Sequence, residues 1–300
     1  MKFHLVAFTF LLISVSLYGQ KQVDYGWWNE LHDWQRGDPG WRSFMKITPG
    51  FLGPNALPVP EVKRGILHPN TELEIAASNH FHPADPTQDI SGKLFIPFAK
   101  NKIAIEMYGV VLERYAFTES LRDERIARDR DGKGTAVGDF YFSTLIQIFR
   151  DRTVPNTLLR MAVKTASGNQ LEAARYTDSP GYFFDLSMSE TLKINASAAV
   201  RPFGLIGFYA WQTNHDIYLQ NDALLYAYGL DILYGKFLVS AAFSGYSGYI
   251  GQKDRPFQLN FDLLKDFEKQ ALRLQYLNGL RDWEYKTIRF SFIWKLNPVE

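Results

Sequence analysis

Three side chains at the end of the first predicted strand could together hold a divalent metal ion. His80 and His82 are two residues apart, so on a strand they project from the same face, and Asp85 follows closely. However, Pro83 ends the strand directly after His82, and the nearby sequence offers no fourth ligand. We therefore predict no metal site and no cofactor, and interpret the three residues as polar groups at a strand end.

The same strand carries a candidate pair for acyl-transfer chemistry. Ser78 and His80 could present a hydroxyl nucleophile and a base on one face. No residue that would orient the histidine can be named from the sequence, and a serine two residues from a histidine is common by chance. A lipid-acting hydrolase therefore stays an alternative function, and no catalytic residue is assigned.

An acidic and glycine-containing stretch matches part of a calcium-binding loop. Asp129, Asp131, Gly132 and Gly134 supply its beginning, but no glutamate closes the loop. We interpret it as a solvated surface loop whose cations could bind the phosphates of lipopolysaccharide. Those cations are Arg122, Arg125, Arg128, Arg130 and Lys133.

A larger set of charged residues alternates with apolar residues along the chain. In the last predicted strand, Arg289 lies opposite the apolar set Ile288, Phe290, Phe292, Trp294 and Leu296. In a membrane barrel an outward Arg or Lys costs about 2–4 kcal/mol at the lipid midplane, so the charges are expected to face inward. The residues predicted to line the lumen are Glu106, Asp139, Arg160, Lys164, Asp185, Asp262, Arg273 and Arg289.

Twelve such alternating segments predict an all-β fold, a transmembrane antiparallel β-barrel of about twelve strands. The links between them are alternately short and long, as in barrels with short periplasmic turns and longer extracellular loops. This alternation predicts that the first and last strands begin and end on the periplasmic side, with both termini there. The predicted strands are 71–81, 91–98, 102–114, 139–149, 158–167, 181–189, 193–211, 223–234, 237–247, 256–265, 270–279 and 285–296.

Two segments precede the predicted barrel, which extends over residues 71–300. Residues 1–19 combine Lys2, an apolar stretch and small residues near Gly19, which is typical of a secretory signal peptide. Residues 20–70 are rich in Trp, Pro and Gly and have no sustained period, so they form either a periplasmic extension or a plug inside the barrel. Within them, the spacing of Trp27, Leu31 and Trp34 predicts a short helix over residues 25–35.

Composition excludes several classes of protein. A formal net charge of +1 does not suit a nucleic-acid-binding surface, and no later stretch is apolar enough for a spanning helix. The chain has no cysteine, so it has no disulfide framework and no thiol for lipid attachment. The expected location is the outer membrane of a Gram-negative bacterium.

Several short motifs are similar to those of outer-membrane channel barrels associated with aromatic-compound degradation. They are Lys164–Gly168 at a strand end, Ser179–Tyr182 with Asp185 on the returning strand, Asn221–Ala223, and Gly245–Tyr249. Over residues 71–296 the chain loosely resembles the meta-pathway phenol-degradation-like family. The resemblance implies a channel or transporter. Residues Asn297–Glu300 depart from the aromatic C-terminus that is usual in such barrels.

These observations predict a porin-like channel for passive or facilitated passage of small molecules. The alternatives are the lipid-acting hydrolase and a closed structural barrel. The expected partners are outer-membrane lipids and lipopolysaccharide, a small-molecule solute and the barrel-assembly machinery, with no nucleic acid.

Overall fold

A computed structural model describes residues 24–151 and 153–296; the predicted signal peptide lies outside the described residues. The strands are β1 (Thr71–Phe81), β2 (Thr87–Phe98), β3 (Ile103–Ala116), β4 (Lys133–Ala136), β5 (Phe140–Phe149), β6 (Asn156–Lys164), β7 (Gly181–Ser189), β8 (Leu192–Lys193), β9 (Ala198–Gln212), β10 (Gln220–Tyr234), β11 (Phe237–Gly248), β12 (Phe257–Asp266), β13 (Gln270–Arg281) and β14 (Lys286–Leu296). The α-helices are α1 (Gly26–Leu31) and α2 (Glu119–Glu124), and 3₁₀ turns cover Trp41–Phe44, Pro49–Phe51 and Leu171–Ala173.

Pairing of the first strand with the last closes the sheet into a barrel. β1 pairs antiparallel with β14 along its whole length, from Thr71 opposite Leu296 to Phe81 opposite Lys286. Twelve strands form the ring in the order β1, β2, β3, β5, β6, β7, β9, β10, β11, β12, β13 and β14. The short strands β4 and β8 lie outside this ring and extend β3 and β9. The predicted all-β, twelve-stranded antiparallel barrel is therefore confirmed.

The links between the strands define two different rims. The short-turn rim carries residues 99–102, 150–151, 153–155, 190–197, 235–236 and 267–269. The long-link rim carries residues 82–86, 117–139, 165–180, 213–219, 249–256 and 282–285. β1 runs from the short-turn rim to the long-link rim, and β14 returns, so the barrel strands begin and end at the same rim, as predicted.

The predicted bounds of one strand and of one helix were wrong. The predicted strand 193–211 is interrupted, because the Asn195 side chain accepts hydrogen bonds from the backbone N–H groups of Ser197 and Ala198 and forms a turn there. Hence β8 stops at Lys193 and β9 starts at Ala198. The helix predicted over residues 25–35 is the shorter α1, which ends at Leu31.

Side chains alternate between an apolar outer face and a polar interior. The outward side chains are large and exposed, as at Phe142, Phe261 and Phe290. Their neighbours in sequence, such as Ser143, Asp262 and Ser291, are buried inside. A water-soluble barrel would place these faces the other way round, so the alternation matches lipid outside and polar groups inside.

The described chain divides into two compact units at Asp38. The first unit contains α1, whose N-terminal Gly26 N–H donates to Asp24 Oδ1 at 2.8 Å. The second unit starts at Pro39 and contains all of the strands. Among the described residues, no helix is long and apolar enough to span a bilayer.

Residues 45–70 of the second unit, here called the inner segment, run through the interior of the barrel. Near the long-link rim, Ile47, Leu52 and Leu57 join one buried cluster with inward aromatic rings of β5, β7, β9 and β11; these rings belong to Tyr141, Phe183, Tyr209, Trp211 and Tyr246. Near the short-turn rim, Leu67 packs in a second buried cluster with Phe95, Ala104, Leu145 and Leu158. The sequence left a periplasmic extension and a plug inside the barrel open for residues 20–70, and the assignment of that whole segment stays a prediction.

The outer face gives a first prediction. Phe261 lies midway along β12 and points outward, so Phe261→Arg should destabilise the barrel in a bilayer by about 2–4 kcal/mol. Tyr234→Arg is the matched control, because Tyr234 is also exposed but ends β10 beside the short turn, where we expect a cost of about 0–1 kcal/mol. Urea titration of protein folded into liposomes measures both; equal costs would contradict the assigned lipid face.

Candidate functional site

The eight residues predicted to line the lumen lie on inward positions or at inner strand ends, and most of them have charged partners. Arg160 Nη2 lies 2.6 Å from Asp185 on the neighbouring strand, and Lys164 Nζ lies 2.7 Å from Asp139. Because all four side chains are buried, these pairs neutralise one another within the wall. Whether the eight residues border a conduction path stays a prediction.

The other predicted residues meet the inner segment. Glu106 accepts a hydrogen bond from Lys63 Nζ at 2.6 Å, and Arg64 Nη2 lies 3.3 Å from Asp262. Arg273 donates to Glu61 at 2.8 Å and also to Glu74 on β1. The inner segment is therefore attached to opposite parts of the barrel wall by charge pairs.

Sequence reasoning did not identify Glu61, Lys63 and Arg64 as functional residues. They have no strand or helix period, because the inner segment is extended and irregular. The one available signal was a cluster of three charges directly after a Pro-rich, apolar stretch that ends at Pro60. Such a cluster does not reveal which wall residues complete its ion pairs.

A cavity of about 170 Å³ lies inside the barrel beside the inner segment. Its charged lining includes Glu74, Lys93, Arg273 and Arg289, and residues 58–62 of the inner segment border it. Tyr108 and Tyr141 also line the cavity and stack on each other with ring centres 4.8 Å apart. The cavity thus combines ionisable groups with aromatic surface, which suits a small polar or amphipathic molecule.

Arg289 differs from the other cations that line this cavity. Its Nε donates to Ser78 Oγ at 2.9 Å, and it forms no ion pair within the described part of the chain. Lys93 and Arg273, in contrast, share the carboxylates of Glu61 and Glu74. The positive charge of Arg289 is therefore the least neutralised of these three.

A buried charge cluster joins four long links near the long-link rim. Asp85 accepts from Arg125 Nη1 at 2.7 Å and from Arg175 Nη1 at 2.8 Å, and the hydroxyl of Tyr285 also donates to it. Arg175 Nε donates to Glu113 at 2.7 Å. Asp85 is thus a structural partner of two arginines rather than a free metal ligand.

The charge cluster determines the ionisation of Asp85. Burial favours the neutral carboxyl, but the positive charges of Arg175 and Arg125 outweigh it and hold the pKa of Asp85 below its usual value. The stabilising contribution of ionised Asp85 is therefore present above the ordinary carboxyl pKa and is lost as the pH falls through the lowered pKa. Arg125 is also buried, so it is not available to lipopolysaccharide as the loop's basic composition predicted.

The structure separates the proposed nucleophile from the proposed base. Ser78 accepts from Arg289, whereas His80 contacts Thr287 Oγ1 through Nδ1 at 2.7 Å and Asp89 through Nε2 at 2.6 Å. Ser78 and His80 do share a face of β1, but it is the buried inner face, and lipid lies outside. The geometry thus gives His80 a role in joining β1, β2 and β14.

The other candidate motifs have ordinary structural partners. His82 lies beyond the end of β1, and its Nδ1 accepts from the N–H of Ala84 at 3.2 Å. In the predicted surface loop, Asp129 accepts from the Tyr115 hydroxyl at 3.0 Å. Within residues 24–151 and 153–296, no three His, Cys, Asp or Glu side chains form a metal-binding group.

Solved structures with similar backbones are outer-membrane barrels. The NanC porin is 10% identical, with 75% of this chain and 100% of that chain covered and a TM-score of 0.48. The KdgM porin is 8% identical, with 75% of this chain and 99% of that chain covered and a TM-score of 0.46. An outer membrane channel from Pseudomonas putida F1 is 12% identical, with 79% of this chain and 100% of that chain covered and a TM-score of 0.46. Similarity at this level says nothing about a solute.

Comparison at the level of sequence gives no assignment. No family model matches the chain, and no curated protein matches it. The resemblance to the phenol-degradation-like family therefore stays a prediction.

The charge cluster generates the second prediction. Asp85→Asn leaves Arg125 without its carboxylate, and breaking a buried pair in this way should cost about 3–5 kcal/mol of unfolding free energy at neutral pH. The loss should shrink as the pH falls from about 4, where Asp85 of the unfolded chain takes up a proton, through the lowered pKa of the folded protein, where wild-type Asp85 becomes protonated as well. Urea unfolding in detergent, followed by gel mobility, measures both effects.

Asp151→Asn is the control for this measurement. Asp151 is 82% exposed at the short-turn rim, and its contact with Arg150 is 3.5 Å long, so its substitution should change stability by no more than about 0.5 kcal/mol. Equal effects of the two substitutions would show that the buried cluster does not stabilise the long-link rim.

Proposed function

We propose that this protein is a channel of the bacterial outer membrane through which small molecules pass passively or with facilitation. The observation that carries the proposal is the cavity inside the closed barrel, with its lining of ionisable groups and stacked tyrosines. A barrel that served only as a structural support would not need Arg289, a cation without an ion pair among the described residues, beside an internal cavity.

The exterior of the barrel supports a location in the membrane. Large apolar side chains are exposed all round the ring, including Ile105, Met161, Leu224 and Leu274. Monomeric water-soluble proteins seldom expose connected apolar surface beyond a few hundred Å². The outer membrane is the bacterial membrane in which β-barrels are found, and the secretory signal predicted over residues 1–19 agrees with it.

The inner segment forms the constriction of the proposed channel. It packs against the aromatic cluster and also borders the cavity, whose lining combines Tyr141 and Phe183 of that cluster with inward residues of β1, β2 and β12–β14. A solute would therefore pass through this cavity, beside the inner segment. Carboxylates and cations lie on both sides of that route, and they would select small polar or amphipathic solutes.

The most specific part of the proposal is the class of solute that passes through the channel. The motifs around Lys164 and Ser179 resemble those of barrels associated with aromatic-compound degradation, which would make small aromatic compounds the solutes. In the structure Lys164 donates to Thr177 Oγ1 at 2.6 Å and to the Ser179 carbonyl at 2.8 Å, so these motifs form one packed corner of the long-link rim. Liposome swelling with benzoate, which is ionised at neutral pH and is largely excluded by the bilayer, and with a neutral sugar of similar size would compare the two solute classes.

Conductance in planar bilayers gives the third prediction. Wild-type protein should give a small steady current, and Arg64→Glu should raise the conductance several-fold. The substituted carboxylate would face Asp262 and Asp231, which now lie 3.3 and 3.6 Å from the guanidinium, so repulsion would release the middle of the inner segment.

Lys193→Glu is the control, because it makes the same change of charge on an exposed side chain of the short-turn rim. Its conductance should remain near that of the wild type. Folded wild-type protein that gives neither current nor liposome swelling would contradict the channel and favour the closed structural barrel. Cleavage of phospholipid or lipid A by the same preparation would instead favour the hydrolase.

A further inference from the structure

The inner segment changes rim as it runs through the barrel. Successive residues of the inner segment contact successively deeper positions of the barrel. The strand residue at each contact shows how far that contact lies from either rim. The first contacts lie at the long-link rim and the last at the short-turn rim, where β1 begins at Thr71. The inner segment is therefore antiparallel to β1 and crosses the whole barrel.

Residues 48–54 lie at the long-link rim. Thr48 Oγ1 donates to the carbonyl of Gln252 at 2.7 Å, and the Gly50 N–H donates to that of Lys253 at 3.1 Å. Both acceptors belong to the link between β11 and β12. The Gly53 N–H donates to the Ala174 carbonyl at 2.8 Å, and Ala174 lies in the long link after β6.

Residues 65–67 lie at the opposite rim. The Gly65 N–H donates to Ser187 Oγ at 3.2 Å, close to the end of β7. Gln147, near the end of β5, binds this part twice: its Nε2 donates to the Gly65 carbonyl at 2.7 Å, and its Oε1 accepts from the Leu67 N–H at 2.8 Å. The ion pairs of Lys63 and Arg64 lie between the two sets of contacts in sequence.

The contacts near the long-link rim are permanent parts of the fold. Trp211, Trp283 and Tyr246 are buried and donate to the carbonyls of Ile47, Pro54 and Leu57 at 2.8, 3.0 and 2.7 Å. Removing the inner segment would leave these buried donors without acceptors, which destabilises a folded protein. An easily displaced leader would not be expected to have such partners.

Two glycines show how closely the inner segment approaches the wall. A Cβ on Gly53 would lie 2.5 Å from the guanidinium carbon of Arg175. Gly65 has φ +72°, and a Cβ there would lie 2.5 Å from the Asn156 carbonyl oxygen. One close approach lies near each rim, so the segment is fitted to the barrel at both ends.

From this path we infer that the chain enters the barrel from the cell surface, where residues 40–44 lie at the long-link rim. In outer-membrane barrels the short turns are periplasmic and the long loops extracellular. Gly40 and Arg42 are exposed, and Arg42 Nη2 lies 2.7 Å from Asp178 in the long link after β6. The second unit therefore begins on the extracellular side of the barrel, although β1 begins on the periplasmic side. Exposure of residues 40–44 at the cell surface is a property separate from conduction.

Single cysteines can test this arrangement, because the native chain has none. Gly40→Cys is a suitable reporter: Gly40 has φ −56°, and a Cβ there would meet nothing within 4 Å. Glu119→Cys reports the long-link rim, since the Glu119 side chain is 87% exposed, and Glu190→Cys reports an exposed site of the short-turn rim. Each full-length variant is expressed in the outer membrane and checked for folding by heat-modifiable gel mobility.

The fourth prediction concerns labelling of intact cells with a membrane-impermeant maleimide. Gly40→Cys should react as fast as Glu119→Cys, whereas Glu190→Cys should react only after lysis. Labelling of Gly40→Cys only after lysis would overturn the inference. Labelling of Glu190→Cys on intact cells would overturn it as well, because the short-turn rim would then be extracellular. Conductance plays no part in this test, so its result and that of the channel measurement are independent.

Discussion

The structure depends on one constraint, that every strand of a sheet surrounded by lipid must find a partner for its backbone. β1 and β14 meet this constraint for each other, and their pairing turns a row of twelve strands into a ring. Closing the ring fixes which face of each strand points to lipid, because side chains alternate along a strand. Arg289, Asp262 and the other charged residues are thereby placed in a confined interior, where most of them form ion pairs and Arg289 binds the Ser78 hydroxyl instead.

The inner segment supplies much of that neutralisation. Wall pairs such as Arg160 with Asp185 need no help, but Glu106 and Asp262 have their cations on the inner segment, at Lys63 and Arg64. The barrel and the inner segment are therefore electrostatically complementary, and neither is complete alone. The cavity lies beside these ion pairs, and Arg289 also lines it. Tyr141 and Phe183 of the aromatic cluster complete its lining, so charged and aromatic groups border the same interior space.

Much of the barrel could be predicted from sequence, because lipid and lumen impose a period of two. The last strand, predicted over residues 285–296, is observed at Lys286–Leu296. The partners of the inward charges could not be predicted. Asp85 was interpreted as a strand-end residue, yet Arg125 and Arg175 reach it from distant links, and no local pattern encodes such contacts. The path of the inner segment was equally hidden, since hydrogen bonds to its carbonyls do not depend on side-chain type.

A ring of strands closed around part of its own chain is a mechanical interlock. The inner segment is covalently joined to β1 after Asn70 and surrounded on all sides by paired strands. It cannot move out sideways unless one of the twelve strand pairings separates along its length. It can otherwise leave only lengthwise, drawn past the rings of Trp211 and Tyr246. A pulling force on the outer end of the chain would therefore be transmitted along the inner segment to the seam between β1 and β14.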